Sequence, residues 1–365
     1  MRAVIDAVPL LIRSAGVKNY LYHWIESLRR AAGCETIRTF PQIEGFAPLR
    51  HDASVTTRWR TVMGLARLAA SNYSPFPVLD WATRGADVFH ATNLVRHPPR
   101  RPRLTATIHD MTSWLMPELH SPANLRADRA FAELISRADG LIAVSQSTAN
   151  DAARILGIQP EKIAVIHSGI PAAFFKIDSA AVERVRQRYG LTKPFVLFVG
   201  TIEPRKNLTT LFDAFEALQM SIREEFELVI AGSLGWATAE TIKRLETARY
   251  LGYVPEEEIA PLTAAVAVFA YPSFYEGFGF PVVQAMAAGA AVITSNVSSL
   301  PEVAGDAALL VDPRSVTELR DALCRLLLSP GLRAELAQRG QTRASGFRWE
   351  ACAAKSLRFF EQVAQ

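Results

Sequence analysis

The chain has 365 residues, more than one hydrophobic core usually organises, so two domains of about 150–200 residues each are expected. Hydrophobic residues make up 49% and charged residues 21%, which excludes a disordered chain, and no apolar run reaches the 18 residues or so that a bilayer crossing needs. The net charge of +4 is unevenly placed: residues 1–170 carry 20 Lys+Arg against 14 Asp+Glu, whereas residues 171–365 carry 20 against 22.

A basic first half suits an acidic membrane surface or a phosphorylated acceptor, and equally a solvated arginine-rich surface. Nucleic acid is disfavoured, because the aromatics are not interleaved with the basic clusters as stacking platforms require. Met1-Arg2-Ala3-Val4-Ile5-Asp6-Ala7-Val8 has no signal-peptide pattern. Cys34, Cys324 and Cys352 are far apart and form no CxxC pair, which argues against zinc and disulfides and suits a reducing cytoplasm.

In chain order, a strand near Ala3–Val8 leads through a loop to a helix with Val17, Tyr20, Leu21, Trp24, Ile25 and Leu28 at amphipathic spacing. Strands follow at Val88–Ala91, Leu104–Ile108, Leu141–Val144 and Ile163–Ile166, with helices at Leu125–Ala138 and Ser147–Leu156. His167-Ser168-Gly169-Ile170-Pro171 is a turn signal and the candidate boundary. A polar helix near Ala180–Tyr189 opens a second series, with strands at Phe195–Val199, Glu227–Ala231, Val266–Ala270, Ala291–Thr294 and Ala308–Val311. Alternation of strand and helix predicts an α/β fold of two Rossmann-like, doubly wound domains, residues 1–170 and 171–347, with ligands at the carboxyl ends of the strands.

The strongest local signal is Phe195-Val196-Leu197-Phe198-Val199-Gly200-Thr201-Ile202-Glu203-Pro204-Arg205-Lys206-Asn207. A glycine at a strand end lets a ligand approach the backbone, and a helix beginning near Asn207 turns free N–H groups and a positive dipole end toward anions. Arg205 adds a bidentate fork and Lys206 a point charge, together suited to a diphosphate; the alternative is a pair of solvated loop cations. A second element, Tyr271-Pro272-Ser273-Phe274-Tyr275-Glu276-Gly277-Phe278-Gly279-Phe280-Pro281, joins an apolar strand to the helix Val282–Ala288. Gly277 and Gly279 flank Phe278 and would turn backbone N–H groups toward an anion or sugar hydroxyls. It matches neither the Walker A nor the dinucleotide fingerprint. In the first half, Ser14-Ala15-Gly16-Val17-Lys18-Asn19 could bring amides to the phosphates. Thr107-Ile108-His109-Asp110 ends an apolar strand, where His109 either bonds a sugar or phosphate or forms a structural pair with Asp110.

Together these residues resemble the large retaining family 4 of glycosyltransferases, over almost the whole chain and most strongly over Val196–Asp312. The family's E-x7-E segment is matched by Glu276-Gly277-Phe278-Gly279-Phe280-Pro281-Val282-Val283-Gln284, and Gly289–Ser295, Pro301–Ala308 and Leu310–Pro313 continue in register. The resemblance implies a GT-B fold, two domains facing across a cleft, with a helix at about 348–365 packing back on the first. It implies that Arg205 and Lys206 neutralise the donor diphosphate, Gly16 contacts it, and His109 lies beside the donor sugar. Glu276 is then near the sugar hydroxyls with the amides of Phe278 and Gly279. Gly200, Thr201, Ser273 and Gly277 line the donor site, and Val254 in Leu251-Gly252-Tyr253-Val254-Pro255 belongs to the region that holds the base. Two positions depart from the pattern. Gln284 stands where a second glutamate binds ribose hydroxyls; it can still accept from one hydroxyl, but exchanging a charge-assisted for a neutral bond costs about 1 kcal/mol. Thr201 stands where many relatives carry arginine.

The implied activity is sugar transfer with retention from a nucleotide-sugar donor, without a cofactor. No Asp-x-Asp is placed to hold Mg²⁺, so metal independence is expected, and the resemblance favours front-face attack with Glu276 not the nucleophile. The subgroup most resembled uses GDP-mannose; a UDP-sugar donor is the alternative. The acceptor is expected to be a glycan or lipid-linked glycan. Arg58-Trp59-Arg60 with Val62, Met63 and Leu65 is either a peripheral membrane contact or an ordinary surface helix. The last helix, Trp349–Val363, carries an apolar stripe at Ala353, Leu357, Phe360 and Val363. A catalytically silent sugar-nucleotide-binding scaffold, favoured by Gln284, is the rival from another class; a phosphorylase on the same fold is disfavoured by the lack of a suitable Schiff-base lysine.

Overall fold

The computed structural model describes residues 1–13, 16–50, 53–74 and 76–365. The chain divides into two compact units, Met1–Gly169 with Trp349–Gln365, and Ile170–Arg348. The division falls one residue before the expected boundary. Each unit is built on one six-stranded, wholly parallel sheet.

In the first unit the strands are β1 (Ala3–Asp6), β2 (Ile37–Phe40), β3 (Val88–Ala91), β4 (Arg103–Ile108), β5 (Gly140–Ala143) and β6 (Ile163–Val165), in the order β2-β1-β3-β4-β5-β6. Every residue of β1, β3 and β5 is buried, as parallel strands covered on both faces require. His90 belongs to this core: its ring nitrogens meet the hydroxyls of Thr105 and Thr107 on β4, each at 3.0 Å. Burial, and secondarily the nearby His109, hold its pKa down at about 3.

Several predicted elements move. The first strand ends at Asp6 instead of Val8, because the Asp6 carboxylate accepts from the Val8 N–H at 3.0 Å and Pro9 starts a 3-10 turn over Val8–Leu11. The helix Gly16–Ala32 follows; Ser14 and Ala15 of the expected phosphate loop lie outside the described residues. The C-terminal helix, Trp349–Ala364, belongs to the first unit and packs along Gly16–Ala32. Its buried face is Trp349, Cys352, Ala353, Ser356, Phe359 and Phe360, rotated from the stripe expected through Leu357 and Val363. The pivot is Ser356, whose hydroxyl accepts from Trp24 Nε1 at 2.9 Å and donates to the Cys352 carbonyl at 2.9 Å. A satisfied hydroxyl is a core group, which apolar spacing does not register.

In the second unit the strands are β7 (Phe195–Val199), β8 (Glu227–Ala231), β9 (Arg249–Gly252), β10 (Val268–Tyr271), β11 (Val292–Ser295) and β12 (Ala308–Val311), in the order β12-β11-β10-β7-β8-β9. β10 and β11 each begin later than expected, at Val268 and Val292. β2 and β9, both short edge strands, were not expected from the sequence. The central pair is aromatic, with the Phe198 and Tyr271 rings stacked at 5.4 Å. From β7 the chain crosses to β8 on one side, and from β10 to β11 on the other. The crevice at the carboxyl ends of β7 and β10 is therefore the topological switch point, the place in a doubly wound sheet where ligands bind. No described helix in either unit is long and apolar enough to cross a membrane.

Candidate active site

The two segments singled out in the sequence leave adjacent strands at this switch point. After β7 the chain runs past Gly200 into a 3-10 turn, Pro204–Lys206, and then a helix, Leu208–Glu216. Asn207 between them is left-handed (φ 58°), a conformation asparagine tolerates better than most residues. Its amide donates to the carbonyls of Pro272 (2.9 Å) and Pro313 (2.6 Å), and its oxygen accepts from Thr210 (2.7 Å). One side chain thus ties the loop after β7 to those after β10 and β12. The Phe274 N–H donates to the Arg205 carbonyl at 2.9 Å and completes the clamp.

Glu276 is buried at the centre. Lys206 Nζ donates to its Oε1 at 2.7 Å, the Ser273 hydroxyl at 2.8 Å and the Tyr271 hydroxyl at 3.1 Å, while Arg205 Nη1 meets Oε2 at 3.0 Å. Burial by itself raises the Glu276 carboxyl; Arg205 and Lys206 beside it, and the bonds from Lys206 and Ser273, outweigh that and hold it at about 2. Burial, and then the Arg205 charge, lower the Lys206 ammonium, with Glu276 and Glu203 opposing. Burial, followed by the Glu276 charge, keeps the Tyr271 phenol far above its ordinary range and so protonated. Arg205 also binds Glu203 at 2.6 Å and the Tyr275 carbonyl at 2.6 Å.

Arg205 and Lys206 are therefore not solvated loop cations, the alternative the sequence left open. Arg205 and Lys206 are balanced by Glu203 and Glu276, because two buried positive charges side by side would be prohibitively desolvated. The carboxylates lock both cations in place, and of the three Lys206 ammonium protons the Tyr271 and Glu276 bonds take two. Glu276 itself, with four partners and a depressed pKa, is a poor nucleophile.

The remaining donor-site candidates group around this cluster. Ser273 is fully buried and also donates to the carbonyls of Arg205 and Tyr275. Gly277, Phe278 and Gly279 lead into the helix Phe280–Ala287; Gly279 is left-handed (φ 97°), and a Cβ there would come within 2.8 Å of Leu300. The Phe278 ring packs edge-on against Phe280 and Phe347. Gln284 is half-buried on that helix. At Gly200 a Cβ would meet only ordinary van der Waals contacts, so packing does not demand the glycine. The Thr201 methyl lies against Gly235, where a Cβ would stand 2.7 Å away. Val254 is buried just past edge strand β9, two strands from β7 and so about 10 Å across the sheet.

The sequence reading missed Glu203, Tyr271 and Asn207 as site members, although all three lie inside the quoted motifs. It also missed Gly232, whose Cβ would fall 1.9 Å from the Gly200 carbonyl oxygen. A lone glycine after a strand was the only signal for it.

In the first unit His109 follows β4 and lines a pocket of about 320 Å³ with Asp110, Asn93, Trp114, His120 and Asp128. The Tyr20 ring meets it edge-on at 4.8 Å. Burial lowers its pKa to about 4, against an opposing pull from Asp110, so the ring is neutral at physiological pH. Asp110 does not clamp it: its carboxylate accepts from the Thr112 N–H (3.0 Å) and hydroxyl (2.6 Å). Gly16, the first residue of its helix, has open space where a Cβ would go.

Two doubly wound parallel units in one chain, with a buried Lys–Arg–Glu cluster at the switch point of the second, make this a GT-B glycosyltransferase. The chain belongs to glycosyltransferase family 4. A model described as Glycosyltransferase Family 4 matches residues 14–174, and one described as Glycosyl transferases group 1 matches residues 181–343. The O-antigen chain mannosyltransferase B of Escherichia coli is 30% identical over 351 residues, 92% of this chain and 91% of that one. Among solved structures, a sucrose-phosphate synthase from Thermosynechococcus elongatus superposes with a TM-score of 0.75 at 19% identity, covering 100% of this chain and 99% of that one. HepE from Anabaena, in complex with UDP, gives 0.72 at 18%, covering 99% and 100%. At these identities the two structures speak to the fold.

Proposed function

We propose that the protein is a retaining mannosyltransferase that moves mannose from GDP-mannose onto a glycan or lipid-linked glycan at the inner face of the cell membrane. The observation that carries it is the Arg205–Lys206–Glu276 cluster at the switch point of the second unit. As the glycosidic bond breaks, negative charge grows on the leaving diphosphate. Arg205 and Lys206, already oriented by Glu203 and Glu276, receive that charge without reorganising, the feature that makes preorganised electrostatics effective. Glu276 holds the lysine and arginine and stays ionised. Attack comes from the same face as departure, with the leaving phosphate oxygen taking the acceptor hydroxyl proton. Neutral His109 offers a hydrogen bond to the sugar. The helix starts and the two cations meet the diphosphate, so neither metal nor cofactor takes part. Gly16, Gly200, Thr201, Val254, Ser273, Gly277, Phe278, Gly279 and Gln284 complete the donor contacts.

The mannosyl preference is supported by the similarity to the Escherichia coli mannosyltransferase. A UDP-sugar donor is the second reading, favoured by the likeness to HepE with UDP. A thermal-shift comparison of GDP-mannose, UDP-glucose and ADP-glucose separates them, because a ligand of the native state raises the midpoint. A selective response to GDP-mannose is expected, followed by mannose transfer that persists in a chelator. A shift with UDP-glucose alone would reassign the donor, loss of activity restored by Mg²⁺ would refute metal independence, and binding with neither transfer nor hydrolysis would leave a silent scaffold.

A further inference from the structure

The helix Arg58–Tyr73 in the first unit carries apolar residues on both of its faces. Gly64, Ser71 and Asn72 are buried, and half-buried Leu65 and Leu68 pack on the core of the unit, so Leu65 leaves the exposed stretch expected from the sequence. Gly64 fixes that face, since a Cβ there would come within 2.6 Å of Leu11 and 2.7 Å of Pro41. The outward stripe carries Trp59 (70% exposed), Val62 (53%), Met63 (36%) and Tyr73 (72%), at helical spacing that also places Ala66 between them. Arg58, Arg60 and Arg67 flank the stripe on both sides, and the helix contains no acidic residue. An ordinary surface helix keeps large apolar residues off its outward face.

Where this helix ends, a groove of about 840 Å³ begins, lined by Ser71, Ser74 and exposed Phe76 together with Arg96, Arg100, Arg126 and Arg137. Two carboxylates also line it, Asp80, which accepts from the Arg100 N–H at 2.9 Å, and Glu133. No described carboxylate forms an ion pair with any of the four arginines. The Arg96 guanidinium lies over the Tyr73 ring at 4.9 Å, which joins the groove to the apolar stripe. The groove reaches Leu104 near the start of β4, whereas His109 lies beyond its end, so the two are about 16 Å apart along the strand.

We propose that this face seats the protein on a membrane of anionic phospholipid: the Trp59–Tyr73 stripe and Phe76 lie at the boundary of headgroups and acyl chains, and Arg96, Arg100, Arg126 and Arg137 hold lipid phosphates. This rests on and deepens the membrane-side acceptor placement above. The stripe supplies apolar area parallel to the surface, the flanking arginines extend their heads to the phosphates, and the groove adds a cationic cradle that a neutral bilayer would leave desolvated and unpaired.

The test is co-sedimentation of the full chain with vesicles of phosphatidylcholine alone and with a quarter phosphatidylglycerol, alongside the thermal shift with GDP-mannose. Binding is expected only with phosphatidylglycerol. Arg126→Ala/Arg137→Ala should weaken it at least tenfold, since each basic residue near an anionic surface contributes about fivefold. Trp59→Ser/Met63→Ser should weaken it similarly, and neither variant should alter the GDP-mannose shift. Equal binding to both vesicles, or none to either, overturns the proposal. So does indifference to the arginine pair, and so does a groove that responds to millimolar inorganic phosphate by thermal shift while the chain ignores vesicles. Vesicle binding without a GDP-mannose shift would instead refute the donor assignment and leave the membrane dock standing.

Discussion

The regions at the carboxyl ends of the two sheets solve the problem of polar groups in a dry site in opposite ways. In the second unit the groups are charged, and each charge is neutralised by a neighbour: Glu276 by Arg205 and Lys206, Arg205 by Glu203. In the first unit the principal group, His109, is kept neutral by burial and presented to an open pocket. A charged, pre-paired cluster suits a task in which charge develops, as on a leaving diphosphate. A neutral ring suits recognition of hydroxyls, where a fixed charge would have to be desolvated each time.

The sharpest way to break this contrast is Lys206→Ala. Loss of one preorganised electrostatic donor typically costs about 3 kcal/mol in the transition state, so turnover should fall by two decades or more. Near-normal single-turnover rates would show that the cluster is structural only. His109→Ala should do less, about a tenfold fall in kcat with the donor-induced thermal shift retained, as for loss of one neutral hydrogen bond. Because His109 titrates at about 4, wild-type kcat should show no inflection from it between pH 6 and 8. A hundredfold loss with an inflection near pH 6.5 would make it an ionising catalytic group.

Acid should separate the units next. His90 and His109 are held at about 3 and 4, below the ordinary 6.5, so the unfolded chain binds more protons below pH 6.5 and the first unit loses stability as pH falls from there. Asp6, raised by burial to about 6, opposes them, since its native form gains a proton between pH 6 and 3.8. Glu276, lowered from 4.5 to about 2, gives the second unit stability that is complete above pH 4.5 and is lost only as pH falls below it. Between pH 6.5 and 4.5, hydrogen exchange should therefore quicken in β3 and β4 before β7 and β10; simultaneous loss would contradict these assignments. The smallest effect belongs to Gln284→Glu. With residue 284 at the ribose as proposed, the carboxylate should tighten nucleotide binding about fivefold, equivalent to about 1 kcal/mol, by calorimetry. Unchanged or weaker binding would place residue 284 away from the ribose.

Legibility followed the physics of each signal. Central strands were plain in the sequence because burial on both faces writes them as apolar runs, and β3, β7 and β8 fall where the pattern puts them, as does the apolar edge strand β12. Edge strands β2 and β9 escaped, since a four-residue segment such as Ile37-Arg38-Thr39-Phe40, with polar residues at its centre, carries no long apolar run. Ser356 in the core escaped for the complementary reason, a polar residue whose bonds are all made inside.

At the site, residue types and their spacing pointed to Arg205, Lys206 and Glu276, because a glycine-ended strand followed by cations, and a carboxylate after another strand, are local features; Ser273 came only with the family resemblance. Which charges would face one another was not local. Residues 206 and 276 are brought together by the adjacency of β7 and β10, and the Asn207 clamp that holds their loops in register exists only once the sheet has formed. By itself the chain's sequence determined two doubly wound units and the groups available for phosphate chemistry. The tertiary structure decided the pairing, and with it the protonation states, because burial and partner distance are properties of the folded sheet and of no single segment.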